Sequence, residues 1–249
     1  MNSPKLIAFA SGKGGVGKTC LAIGLTQALA EAGRRVALVD GDLGLANVDV
    51  QLGLDPPCDL GDVLAGRCPA AAALLPHAGG FAVLPGRSGS AALAGLDGAA
   101  LRGFAAMLRD LPLDWVVLDL GAGIGAAQRG LAAAADLLIV VATEEPTSLT
   151  DAYAVLKLHR RDAPEGKAGL LVNMAAQPGR VHAALDAACR GFLGQGLPLL
   201  GAVRRDPRVP AAIRAQAPLL TRHPNTHAAE DLRRLAAALP RLMGERQAA

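Results

Sequence analysis

The stretch Gly12-Lys13-Gly14-Gly15-Val16-Gly17-Lys18-Thr19 decides the fold of this chain. It follows a short apolar run at residues 6–10 and precedes an Ala/Leu-rich stretch, residues 19–32, whose composition favours a helix. A glycine-rich loop between a strand and a helix can turn its backbone amides inward to form a cradle for an anion. The spacing G-x-x-x-x-G-K-[ST] in this context predicts a loop that binds the phosphates of a nucleotide.

The residue types in this loop suit ATP or ADP with Mg²⁺. The Lys18 ammonium is expected to reach the β- and γ-phosphates, and the Thr19 hydroxyl is expected to ligate the metal. The start of the following helix adds partial positive charge near the phosphates. The residues predicted to bind the nucleotide here are Gly12, Lys13, Gly14, Gly15, Val16, Gly17, Lys18, Thr19 and Cys20.

Alternating apolar and Ala/Leu-rich segments continue along the whole chain. Apolar runs at 6–10, 36–39, 81–84, 115–118, 137–141, 170–172 and 199–203 are typical of buried parallel strands. Segments 19–32, 101–109, 126–134, 150–161 and 181–192 between them favour helices. We therefore predict an α/β fold: one doubly wound, mostly parallel sheet with helices on both faces, in a single domain over residues 1–249.

The segment 226–244 is predicted to be a terminal amphipathic helix. Its apolar residues recur at helical spacing, its arginines face elsewhere, and Pro240 marks a kink or a break. Such a helix would pack on the sheet, or else lie on a membrane surface. Membrane-surface helices usually carry Phe or Trp, and this one has neither.

Composition excludes several classes of protein. The four cysteines form no C-x-x-C pair, which argues against zinc, iron–sulfur and thioredoxin-like sites and favours unpaired thiols. Neither a signal peptide nor an apolar run of membrane-spanning length is evident, so a cytoplasmic location is expected. Residues 201–249 carry nine arginines against four acids. That excess predicts either an anionic partner or an Arg-rich solvated face.

Three aspartates lie at or just after the ends of predicted strands, where ligands bind in open α/β sheets. Asp40 closes the second strand, Asp42 follows it, and Asp119 follows the apolar run 115–118. A carboxylate at such a position can orient the attacking water or hold Mg²⁺ through water. A turn or capping role is the alternative for Asp40 and Asp42.

Lys13 points to a particular family. Lysine is scarce in this chain, and a second ammonium beside Lys18 would be repelled by it, so Lys13 is expected to point elsewhere unless it is an exposed residue with no role. The loop resembles the deviant Walker A motif of the MinD/ParA ATPases. That resemblance implies slow, regulatory ATP hydrolysis and an ATP-dependent homodimer, in which the signature lysine reaches the partner's nucleotide.

The same resemblance assigns further roles. It implies that Lys13, Lys18 and Asp42 are catalytic, with Asp42 positioning water, and that Thr19, Asp40 and Asp119 surround the magnesium. It implies that Asn173 contacts adenine, and it places Asp206 where the family often has a second base contact, although a turn aspartate before a proline is an equal alternative. Leu120 departs from the family, which often has Thr or Ser directly after the aspartate.

Two stretches, 39–54 and 145–153, resemble the FlhG (FleN) group of flagellar-number regulators within this family. The implied partners are an FlhF-type GTPase, a flagellar transcriptional activator and C-ring proteins, with peripheral contact to the inner membrane. A MinD-like division-site regulator and a ParA-like DNA-segregation ATPase are the alternatives. In the last case DNA phosphates would meet Arg204, Arg205, Arg208, Arg214 and Arg222.

Overall fold

The computed structural model describes residues 3–42, 44–86 and 97–244, and in this part of the chain eight strands form one sheet. They lie in the order β3-β4-β2-β5-β1-β6-β7-β8. All neighbours are parallel except β3 and β4, which are antiparallel. The strands are β1 (Lys5–Ala10), β2 (Val36–Gly41), β3 (Leu75–Pro76), β4 (Ala82–Leu84), β5 (Trp115–Leu120), β6 (Leu137–Ala142), β7 (Ala168–Asn173) and β8 (Leu199–Val203).

Helices cover both faces of the sheet, as the alternating pattern predicts. In chain order they are α1 (Lys18–Glu31), α2 (Val48–Leu52), α3 (Leu60–Leu64), α4 (Ala70–Ala73), α5 (Gly98–Arg109), α6 (Ala126–Ala134), α7 (Pro146–Asp162), α8 (Pro178–Leu193), α9 (Arg208–Arg214), α10 (Leu219–Arg222) and α11 (His227–Leu242). One core layer contains apolar residues of α3 to α8, and the other contains those of α1, α2 and α9 to α11.

Strand β1 shows how the sheet separates the two layers. Leu6, Ala8 and Ala10 belong to one core layer, whereas Ile7 and Phe9 belong to the other. All five are buried, because a central strand of a doubly covered sheet has no solvated face. This explains why the sequence pattern is a continuous apolar run rather than an alternation.

The seven predicted strands and five predicted helices are present, with boundaries shifted by a few residues at most ends. Helix α7 begins at Pro146 rather than at residue 150, since proline is well tolerated in the first helical turn. The structure adds the two-residue edge strand β3 and the short helices α2, α3, α4, α9 and α10. Segments of four to seven residues show too little periodicity to be recognised from sequence.

The last helix, α11, packs on the sheet. Leu232, Leu235 and Leu239 are buried in the core layer formed with α1, and Gly24 of α1 leaves room for Leu232. Thr226 caps the helix by accepting a hydrogen bond from the backbone of Ala229. Of the kink or break predicted at Pro240, the break is wrong, because the helix continues through Pro240 to Leu242. Within the described residues, helices capable of spanning a membrane are absent.

Candidate nucleotide-binding site

The glycine-rich loop joins β1 to α1 at the carboxyl edge of the sheet. Gly15 and Gly17 have φ angles of 80° and 88°, in the left-handed region that favours glycine. Gly17 is also the N-cap of α1 and has no side chain with which to cap the helix, so the first-turn amides face the cleft. The loop therefore presents backbone N–H groups and the positive end of α1 to an anion.

Lys18 and Asp119 form a buried ion pair at the bottom of this cleft. The Lys18 Nζ lies 2.8 Å from the Asp119 Oδ1, and both side chains are almost inaccessible to solvent. Burial raises the pKa of Asp119 above its usual value, although the Lys18 ammonium and the Thr19 hydroxyl, which hydrogen-bonds the carboxylate, oppose the shift. A hydroxyl and a carboxylate beside an ammonium provide the hard oxygen donors that Mg²⁺ prefers and a cation for phosphate oxygens. These residues fit the predicted metal–nucleotide pair.

Asp40 holds the segment that follows β2. Its carboxylate accepts hydrogen bonds from the backbone amides of Asp42, Asn47 and Val48, at 3.1, 2.9 and 3.0 Å. Burial raises the pKa of Asp40 to about 7, and the charge of nearby Asp119 adds to the shift. The structure thus shows Asp40 holding Asp42, Asn47 and Val48 by their backbone amides. Its proximity to a bound magnesium ion stays a prediction.

Asp42 lines the mouth of the phosphate cleft. Its Oδ1 accepts hydrogen bonds from the backbone of Gly44 and Leu45, at 3.2 and 3.0 Å. A Cβ atom at Gly121 would lie only 2.9 Å from the same oxygen, so a side chain at this position would have to displace the Asp42 carboxylate. The Asp42 carboxylate therefore lies between the loop after β2 and the loop after β5, where it lines the phosphate cleft.

The phosphate cleft has a volume of about 360 Å³. It joins the glycine-rich loop to the two loops that carry Asp42 and Ala122. Its lining residues are Ser11, Gly14, Gly15, Val16, Gly17, Lys18, Thr19, Cys20, Asp42, Leu45, Asn47, Gln51, Ala122 and Ile213. Most residues predicted from the loop motif thus converge on one cavity, together with the predicted water-positioning aspartate.

A second, more apolar cleft of about 440 Å³ adjoins the first. The two share Gly15, Gly17, Cys20 and Ile213, and Asn173 lines the second. Concave apolar clefts with a few polar groups are typical of sites for small-molecule rings. The arrangement provides space for a base next to the phosphate cradle.

Asn173 is attached to the phosphate loop itself. Its buried Nδ2 donates a hydrogen bond of 2.7 Å to the Val16 carbonyl oxygen, and a Cβ at Gly17 would lie 2.6 Å from the same nitrogen. The asparagine thus links the end of β7 to the loop after β1. Its predicted contact with adenine stays a prediction.

Asp206 lies on the rim of the base-side cleft. Its Oδ1 accepts a hydrogen bond of 2.9 Å from the Arg208 backbone, which is the geometry of a turn aspartate. It also lines the cleft, so its predicted contact with the base stays a prediction. Arg204, two residues earlier, is fixed by Asp231 at 2.7 Å and Glu230 at 3.0 Å.

Lys13 points away from Lys18. Its Nζ lies 2.5 Å from the Glu145 Oε2 and 3.2 Å from the Thr147 Oγ1, at the exposed rim of the site. This ion pair lowers the pKa of Glu145. The preceding Gly12 packs so closely against Asp151 of α7 that a Cβ would lie 2.5 Å from the Asp151 carbonyl oxygen. Lys13 and Gly12 thus bind the start of α7 rather than line the described phosphate cleft.

Sequence patterns missed several residues that shape the site. Ile213, Val209 and Leu219 line the base-side cleft from short helices that have no clear periodicity. Gln51 lines the phosphate cleft from α2. No local signal identifies them, since only the folded chain brings α2, α9 and α10 to the carboxyl edge of the sheet. Leu120, noted as a departure from the family, is fully buried in β5.

A glycine-rich phosphate cradle with a buried lysine, a hydroxyl and an aspartate at the end of a central strand defines a P-loop nucleotide-binding protein. Residues 7–219 match the family model described as the CobQ/CobB/MinD/ParA nucleotide binding domain. The chain belongs to this family.

Individual relatives agree with this assignment. The chain is 39% identical to the antiactivator FleN of Pseudomonas aeruginosa over 92% of its own length and 83% of the relative. It is 35% identical to the flagellum site-determining protein YlxH of Helicobacter pylori, covering 70% of this chain and 59% of that one. It is 36% identical to the septum site-determining protein MinD of Bacillus subtilis, covering 67% and 63%.

Solved structures share the fold. The cell division ATPase MinD of Pyrococcus furiosus superposes with a TM-score of 0.83 at 26% identity, covering 96% of this chain and 99% of that one. MinD of Pyrococcus horikoshii, complexed with Mg-ADP, gives 0.83 at 25% identity, with coverage of 98% and 100%.

Proposed function

We propose that this chain is a regulatory ATPase whose ATP-dependent homodimer controls flagellar number and placement. The observation that carries the proposal is the position of Lys13 on the rim of the site, held by Glu145 and Thr147 instead of by the phosphate cradle. A lysine placed there can be released to a nucleotide bound by a second copy, whereas Lys18 serves the chain's own nucleotide.

The exposed surface around the phosphate cleft supports an interface between two copies. Leu45, Val50, Ile124 and Ile213 are large apolar residues exposed to solvent, and two of them line the cleft mouth. Solvent-exposed apolar residues that cluster at a ligand site commonly mark a surface that becomes covered. A dimer that closes over the nucleotide would bury these side chains and exclude water from the reacting phosphate.

The residues of the site suit slow hydrolysis of ATP. The loop amides and Lys18 would hold the triphosphate, and Thr19 with Asp119 would hold the magnesium ion, which when bound supplies charge neutralisation between the phosphates. Asp42 would orient the attacking water, because it lines the same cleft as the glycine-rich loop, Lys18 and Thr19. Asp40 would keep Asp42 in place through the amide of residue 42. Asn173 and Asp206 would contact the base.

The flagellar role rests on the relatives. FleN is named an antiactivator and YlxH a flagellum site-determining protein, and these relatives are 39% and 35% identical to this chain. We therefore expect a flagellar transcriptional activator, an FlhF-type GTPase and C-ring proteins as partners of the dimer. We also expect a cytoplasmic protein, with peripheral membrane contact in the ATP-bound state. Because the chain is also similar to the septum site-determining protein MinD, a role at the division site is the alternative.

The molar mass of the Asp42→Ala protein in solution tests the switch. With ADP we expect a monomer, and with ATP and magnesium we expect a dimer that persists, because the water is no longer oriented for attack. The matched variant Asp42→Ala/Lys13→Ala should bind ATP with similar affinity but remain a monomer. If both variants behave alike at saturating ATP, Lys13 does not act across an interface and the switch is refuted.

A further inference from the structure

Met174 has an unusual backbone conformation at the carboxyl edge of the sheet. It directly follows Asn173, the last residue of β7, and its φ angle is 57°, in the left-handed region. This region is unfavourable for a residue with a Cβ, and the residues that commonly adopt it are Gly, Asn and Asp. Among the described residues, Gln216 is the only other non-glycine residue with a positive φ. Backbone strain of this kind clusters at ligand sites, so the Met174 side chain is a candidate for a functional role.

Hydrogen bonds on both sides of Met174 hold this conformation. The Met174 N–H donates a bond of 2.9 Å to the carbonyl oxygen of Val203, the last residue of β8. The side chain of Asn173 donates to the phosphate loop at 2.7 Å, and the backbone of Ala176 donates to the Glu144 carboxylate at 2.8 Å. The chain therefore turns at residue 174 between fixed points.

The Met174 side chain lines the base-side cleft rather than the core. It is half-buried, and within the described part of the chain the core layers include Val172 and Ala175 but not Met174. It lines the cleft of about 440 Å³ together with Asn173 and with apolar residues such as Ile213. A thioether is flexible and polarisable, and it makes favourable contacts with aromatic rings. The strained residue thus supplies an apolar side chain to the cleft that adjoins the phosphate cradle.

We propose that the Met174 side chain packs against the ring of the nucleotide base and thereby makes the protein bind a base-bearing nucleotide more tightly than free phosphate groups. The inference rests on the part of the proposed function that places the base in this cleft. Asn173 and Asp206 offer polar atoms to the edge of a base, whereas Met174 offers an apolar surface to its ring. A glycine at this position would be free of strain, and the contact explains why a methionine stands there instead.

The methyl resonance of Met174 reports the contact in the wild-type protein. The chain has four methionines, so labelling their methyl groups with carbon-13 gives few resonances, and the one that disappears in Met174→Leu belongs to Met174. With magnesium present, ADP should shift this resonance through the ring current of its base, whereas pyrophosphate, which has no base, should not. No shift with saturating ADP, or equal shifts with both ligands, would overturn the proposal.

The affinities of variants measure what the contact contributes. Calorimetry gives the dissociation constants of ADP and of pyrophosphate with magnesium, the weaker ligand by competition, and ADP avoids the dimer proposed for ATP. Met174→Gly should weaken ADP binding roughly tenfold and change pyrophosphate binding by less than about twofold, because the lost apolar and sulfur–ring contacts involve the base alone. Met174→Leu should keep most of the affinity, since it retains an apolar side chain. Glycine tolerates a positive φ, so Met174→Gly should fold normally.

Gln216→Gly is the matched control for the change of backbone. Gln216 has a φ angle of 50° and is not among the described residues that line either cleft. Its side chain donates a hydrogen bond of 2.8 Å to the Val50 carbonyl oxygen in α2, beside the phosphate cleft, so its loss should affect ADP and pyrophosphate alike. The ratio of the two dissociation constants should therefore stay at the wild-type value.

The outcomes separate this inference from the proposed function on which it rests. If Met174→Gly binds ADP as tightly as the wild-type protein, or weakens ADP and pyrophosphate equally, the role of Met174 is refuted while the base keeps its place. An equal change of the ratio in both glycine variants would also refute it, because relaxation of the backbone would then be the cause. If the wild-type protein binds ADP no more tightly than pyrophosphate, the cleft does not hold the base, and that part of the proposed function fails as well.

Discussion

Gly17 and Gly15 form a matched pair for measuring what the phosphate loop requires of its glycines. Both have a φ angle in the left-handed region, 88° at Gly17 and 80° at Gly15. At Gly17 an added Cβ would lie 2.6 Å from the Asn173 Nδ2, whereas at Gly15 no heavy atom of the described residues lies within 4 Å of it. Substitution by alanine therefore imposes the same backbone strain at both positions and a steric clash at one.

The expected losses of stability follow from these contacts. Left-handed backbone costs an alanine roughly 1–2 kcal/mol, and Gly15→Ala should reduce the free energy of unfolding by about that amount. Gly17→Ala must also displace Asn173 from its 2.7 Å hydrogen bond to Val16 and leave a buried amide without this partner. That adds roughly 1–3 kcal/mol, so the total loss should be about 2–5 kcal/mol.

Urea unfolding of the nucleotide-free proteins measures both values. The single tryptophan, Trp115, is buried in β5 and reports on the core by its fluorescence. The double variant Gly17→Ala/Asn173→Ala should lose less stability than the sum of the two single losses, since both act on one contact. Equal losses for Gly15→Ala and Gly17→Ala, with equal denaturant slopes, would refute the reasoning.

Three further predictions concern charged groups. Because burial raises the pKa of Asp40 from 3.8 to about 7, the folded chain binds a proton more tightly than the unfolded one, and this group lowers stability as the pH rises from about 4 to 7. Asp40→Asn should therefore weaken the pH dependence of the free energy of unfolding in urea by up to a few kcal/mol, at about 1.4 kcal/mol per pKa unit. An unchanged dependence would contradict this prediction. Glu145→Gln should leave the urea midpoint nearly unchanged, because exposed ion pairs contribute little to stability, but it should release Lys13, so light scattering should detect the ATP-bound dimer at lower protein concentration. An unchanged concentration dependence would show that the ion pair does not compete with the interface. Arg204→Ala should lower the urea midpoint because buried Asp231 loses its charged donor, and an unchanged midpoint would mean that the backbone N–H of residue 204 satisfies Asp231 alone.

The phosphate loop shows what sequence can establish about this site. Lys18 and Thr19 are placed by their spacing from the glycines and by the strand and helix around them, and the structure brings them into contact with Asp119, as the strand-end rule predicts. The expected direction of Lys13 is also confirmed, because repulsion between two ammonium groups is a local effect that sequence alone reveals.

Other parts of the site depend on packing that no local pattern records. Asp40 was expected to stand near magnesium, yet three backbone amides from residues 42–48 approach its carboxylate, and only the folded loop shows this. The partners of Lys13 come from the start of α7, far along the chain.

The central position of β1 has a consequence for the synthesis of the protein. This strand is synthesised well before its two neighbours in the sheet, which begin at Trp115 and Leu137. Until those neighbours have been made, the phosphate loop has no sheet on which to form, and such distant pairings slow folding. ATP, abundant in the cell, can then stabilise only chains that have completed the sheet, so ligand capture would favour finished molecules over partial ones.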